Sequence, residues 1–152
     1  MPGLNSITSL MSSVATVEEN LDNGNYTKDA VVENEKDIVR LNVDQLYLEG
    51  INSLGVSIDS YAPYSPLTIK MKTAKGQPVD RVTLRDTGDF HRGFHVVADS
   101  GGFIITSSDG KTDDLMSKYR GSVFGLTKDN KGIASQIIYP SVLQKIRQEI
   151  FK

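Results

Sequence analysis

Two tracts with apolar residues at helical spacing bracket a middle that proline and glycine keep interrupting, and this layout most constrains the fold. In residues 35–54, Val39, Val43, Leu46, Tyr47 and Ile51 recur at three- and four-residue steps, one apolar stripe of a helix. Gly50 and Gly55 near its end suit a left-handed cap. From Thr127 onward, Ile133, Ile137, Ile138, Val142, Ile146 and Ile150 form a second stripe, mostly at four-residue steps. Pro140 interrupts it and predicts a kink or two consecutive helices.

The middle reads differently. Pro63 and Pro66 make residues 59–66 a loop. Leu67, Ile69, Met71 and Thr73 then alternate with Thr68, Lys70, Lys72 and Ala74, which predicts a strand with one wet face. After the turn at Lys75-Gly76-Gln77-Pro78, Val82 and Leu84 suggest a second short strand. Residues 93–98 and 103–108 predict a hairpin across Asp99-Ser100-Gly101-Gly102. Lys111 to Arg120 suits a short helix with Thr112 as N-cap and Asp113 and Asp114 in its first turn. The expected class is α+β: a long N-terminal helix, an antiparallel sheet of about four strands and closing C-terminal helices.

Charge divides the chain. Residues 1–40 hold seven acids and three bases, and the remaining 112 hold 12 acids and 14 bases. Met1 to Ala15 has no charged side chain; its apolar spacing at Ile7, Leu10, Met11 and Val14 is helical, but it is rich in poor helix formers. Residues 1–34 therefore read as an extended N-terminal arm held by a partner subunit, with packing on its own domain as the alternative, and residues 35–152 as a single α+β domain. The absence of cysteine excludes disulfides and Cys-based zinc sites. The N-terminus lacks the features of a signal peptide, and no stretch approaches the ~20 apolar residues of a membrane span. A soluble protein made inside the cell, with no membrane and no cofactor, is the expectation.

The sharpest catalytic motif is Asp86-Thr87-Gly88, the signature of aspartic proteases, where two such aspartates share a proton. A dimer would supply the second copy. Arg85 before it and Asp89 after it would disturb that shared titration, so a turn or helix cap is the commoner role. His91 and His95 have a metal-ligand spacing only on a helix; on a strand they stand roughly 13 Å apart, and two unrelated surface histidines are expected. Lys70, Lys72, Lys75, Arg81, Arg85 and Arg92 crowd residues 70–92, diluted by Asp80, Asp86 and Asp89. With Lys70 and Lys72 on one strand face, this could be a basic patch, compatible with DNA nearby but read first as a solvated sheet face or a contact with an acidic neighbour, for which the acidic 18–37 stretch of an adjacent copy is one candidate. Tyr61 and Tyr64 have interface chemistry, or pack on their own sheet.

The run Val82-Thr-Leu-Arg-Asp-Thr-Gly-Asp-Phe90, with Phe94 and the following hairpin, resembles the neck and tail-completion proteins of tailed bacteriophages, the head–tail joining class. From Pro63 to Asp109 it is similar to virion proteins of Bacteroides-infecting, crAss-like phages. The resemblance covers about residues 35–130 and implies a non-enzymatic ring subunit of 6 or 12 copies in the virion neck. Its partners would be the portal, the tail or other neck proteins, with DNA passing through the lumen. Asp86, Thr87, Gly88 and Phe90 would then set a turn, and Tyr61, Tyr64, Lys70, Lys72, Arg85 and Arg92 would be candidates for the subunit interface. A capsid decoration protein is the alternative, and a dimeric aspartic protease using Asp86 a remote one.

Overall fold

The structure is a computed structural model that describes residues 2–152. The chain runs through α1 (Pro2–Asp22), α2 (Asn25–Glu33) and α3 (Glu35–Asp44), which continues as a π-turn over Gln45–Glu49. Then follow α4 (Pro66–Ala74), the single turn α5 (Asp89–Arg92), β1 (Phe94–Asp99), β2 (Gly102–Ser107), α6 (Thr112–Tyr119) and α7 (Lys128–Ile150). The described residues thus form a mixed helix-and-sheet protein, with seven helices and a two-stranded antiparallel sheet in place of about four strands.

The hairpin forms where alternation and the Asp99–Gly102 turn place it, in the register Phe94↔Ser107 to Asp99↔Gly102. The Asp99 carboxylate accepts the Gly101 N–H at 2.8 Å and closes the turn. The other two expected strands do not form. Residues 66–74 are helical because Ser65 caps them, its Oγ accepting the Thr68 N–H at 3.1 Å, and Pro66 occupies the first helical position. Val82 to Leu84 are buried, but they join no ladder among the described residues. Tyr64 serves this segment instead, accepting the Thr83 N–H at 2.9 Å.

The N-terminal segment is helical where an extended arm is expected. Tyr26, Ala30 and Val31 of α2 are buried, and α1 and α2 both pack against α7. Burial of Val17, Tyr26, Ala30 and Val31 holds the second half of α1 and α2 against the domain, as the alternative reading of this segment expects. Lys145 of α7 pairs with Glu33, and the Asn34 amide donates to Ser141 Oγ at 2.9 Å. α7 is one helix rather than two. Pro140 and Gln136 face solvent, so the carbonyl that proline leaves unpaired can be hydrated. In α6, Lys111 rather than Thr112 holds the cap position, and the Thr112 hydroxyl donates to the carbonyls of Ser107 and Asp109.

The core joins Val31, Ile38, Leu46, Ile58, Val82, Phe90, Phe94, Ile105, Val123 and Leu126. Phe90, Phe94 and Phe124 form a triangle with ring centroids 5.0, 5.2 and 5.8 Å apart, each such pair adding about 0.5–1.5 kcal/mol beyond its area. The expected stripe is buried at Leu46 and half-buried at Val39, Val43 and Tyr47, and the buried face also takes in Ile38, Asn42 and Gln45.

Candidate functional site

The Asp86-Thr87-Gly88-Asp89 turn and α4 enclose, together with α6, a cavity of about 300 Å³. Its floor includes Tyr64, Leu84, Phe90 and Tyr119, and its rim carries Lys75, Lys111 and Lys118. The turn begins with a constrained residue. Leu84 is buried with φ of 52°, a left-handed conformation that costs a non-glycine residue about 1–2 kcal/mol. It swings the chain out of the core, so that Val82 and Leu84 point inward and Arg85 to Thr87 are exposed. Gly88 follows at φ 93°, and a side chain there would meet the Arg92 guanidinium at 2.9 Å.

α4 and α5 hold this turn from both sides. Lys72 Nζ donates to the Arg85 carbonyl at 2.5 Å and to Gln77 Oε1 at 2.9 Å, and lies 5.0 Å from the Tyr64 ring centroid. Gln77 Nε2 donates to the Asp86 carbonyl at 2.8 Å. Lys75 pairs with the Asp86 carboxylate. On the far side the Thr87 hydroxyl donates to Asp89 at 2.5 Å, while Arg92 pairs with Asp89 and donates to the Thr87 carbonyl at 3.2 Å.

These contacts set the chemistry of the carboxylates. The hydrogen bond and charge of Lys75 hold Asp86 below the usual aspartate range. Thr87 and then Arg92 do the same for Asp89. A shared-proton pair needs the reverse, one carboxyl raised so that it keeps its proton. Among the described residues no cluster of three or more His, Asp or Glu side chains is arranged to hold a metal. No helix among them is long and apolar enough to cross a membrane.

The expected basic face divides. On a helix Lys70 and Lys72 diverge: Lys70 is exposed, whereas Lys72 is only 7% exposed and serves the turn. Arg85 lies over the Tyr47 ring at 4.9 Å, and Arg92 is committed to the turn. Tyr64 bonds Thr83, and Tyr61 accepts from Asn52 at 3.2 Å with Arg120 over its ring, so both tyrosines pack on their own domain. The histidines are not a surface pair. His91 is buried beside Tyr47, Phe90 and Phe94, and its Nε2 has no hydrogen-bond partner. His95 is half-buried at the start of β1.

Turning Lys72 inward leaves the apolar side of α4 outside: Leu67 is 67% and Met71 52% exposed. α1 does likewise with Ile7, Leu10, Met11 and Val14. The helical spacing of the α1 residues was visible in the sequence, but the α4 face was missed. The Ser65-Pro66 helix start was the signal available for α4. No known protein family, curated protein or solved structure matches the chain.

Proposed function

We propose that the protein is a non-enzymatic assembly subunit, one copy of a ring in the head–tail neck of a tailed-phage virion. The observation that carries the assembly role is the pair of uncovered apolar helix faces on α1 and α4. Contiguous exposed apolar surface of this kind marks a protein–protein contact. The Asp-Thr-Gly turn supports the same reading, because its groups bind one another and shape a rigid corner rather than a reactive centre. The place in the virion rests on the resemblance of residues 35–130 to neck and tail-completion proteins.

Deleting residues 1–15 tests the role of α1. Residues 6–15 are exposed or half-buried, whereas a longer cut to residue 30 would also remove the buried Val17, Tyr26 and Ala30. The shortened chain is expected to keep its circular dichroism spectrum and a single cooperative melt but to lose assembly, read by light scattering. Unchanged assembly would count against α1 as a contact element.

A further inference from the structure

We propose that α1 of one copy docks on α4 of the next, resting on the ring-subunit reading above. The two faces complement each other. In α1, Ile7, Leu10, Val14, Val17 and Leu21 repeat at alternating steps of three and four, the spacing of a seam that packs against another helix. Val17 is buried, whereas Ile7, Leu10, Val14 and Leu21 remain exposed. The seam ends among acids, Glu18, Glu19 and Asp22.

α4 is inverted relative to an ordinary surface helix. Its cation Lys72 faces in, while Leu67 and Met71, one turn apart, face out. Outward it carries Lys70, with Lys75 just beyond its end beside Asp86, and residues 66–75 hold no acid. Charge therefore favours α1 against α4 over α1 in parallel with its own equivalent, which would bring like carboxylates together. The four-residue steps also agree. With the helices parallel and Leu10 on Leu67, Val14 falls on Met71 and Glu18 beside Lys75, where it would share that ammonium with Asp86. Because donor and acceptor surfaces differ, each copy offers one of each, and repetition closes a ring or extends a filament.

The absence of native cysteine makes the contact directly testable. Val14 and Met71 are exposed, so Val14→Cys and Met71→Cys chains should fold as the parent does. Under mild oxidation, a mixture of the two is expected to give a covalent mixed dimer, each alone none beyond background, and a chain carrying both substitutions a ladder of multimers. Self-cross-linking of the Val14→Cys chain as efficient as the mixed reaction would overturn the α1–α4 pairing in favour of α1–α1. A missing mixed dimer, with the parent still assembling, would overturn the pairing and leave the ring reading standing. A parent that stays monomeric at every concentration would overturn both.

Discussion

Replacing Gln45 with leucine is expected to destabilise the protein by about 3–5 kcal/mol, although the two side chains are similar in size. Gln45 is fully buried. Its Nε2 donates to the Gly125 carbonyl at 3.3 Å, and its Oε1 accepts from the Thr127 N–H at 3.0 Å and Asn130 Nδ2 at 3.1 Å. Asn42 beside it donates to the Val123 carbonyl at 3.1 Å and accepts the Gly125 N–H at 2.9 Å. These two amides fasten residues 123–130, the entry to α7, onto α3. Leucine would take the partner from the half-buried Gly125 carbonyl and Thr127 N–H and leave Asn130 Nδ2 only the Leu41 carbonyl at 3.5 Å, at about 1–3 kcal/mol for each group that stays unsatisfied. Against a typical total of about 5–15 kcal/mol, the urea midpoint should fall sharply. A leucine variant as stable as the parent would mean that apolar packing offsets the lost bonds, and that the network does not hold α7 in place.

The second large effect is on pH. Burial, and then the charge of Arg85, lower the His91 pKa from 6.5 to about 4, with the polar backbone of Thr83 pulling the other way. The folded state therefore keeps His91 neutral over a range in which the unfolded chain protonates it. Stability is intact above pH 6.5 and falls as the pH drops toward 4, where the loss reaches about 3 kcal/mol. Asp86 and Asp89 act in a separate window, because their lowered values cost stability only as the pH falls through and below the ordinary 3.8. His91→Phe fits the aromatic surroundings and removes the titration. Urea midpoints at pH 7, 5.5 and 4.5 should show a steep decline for the parent and a shallower one for the variant. Parallel declines would place the acid sensitivity elsewhere.

The hairpin was legible because strand periodicity and turn chemistry agreed: Phe94, Val96 and Ala98 alternate, and Asp99-Ser100-Gly101-Gly102 closes the loop. α4 was not, because Leu67, Ile69, Met71 and Thr73 alternate like a strand while Leu67 and Met71 also share a helix face. Alternation at Val82 and Leu84 did not mark a strand: Val82, Thr83 and Leu84 are all buried, and burial does not specify a partner strand. The burial of Asn42 and Gln45 beside the apolar stripe of α3 was not legible, because they look like surface residues until the backbone of 123–127 arrives to bond them. Such long-range contacts leave no local pattern. The same holds for α2, whose burial depends on α7 more than 100 residues later. At the candidate site, Asp86, Thr87, Gly88 and Phe90 were visible as a turn with an apolar anchor. The inward rotation of Lys72, which exposes the opposite face of α4, required the helix to be seen.

The proposed assembly runs through the uncovered faces of α1 and α4. Sedimentation velocity of the full-length protein over a wide concentration range reads it out. A closed oligomer, 6 or 12 copies, is expected to grow at the expense of monomer as concentration rises and to be lost on Met71→Glu substitution. A monomer at every concentration, or a dimer that never grows and ignores that substitution, would contradict it.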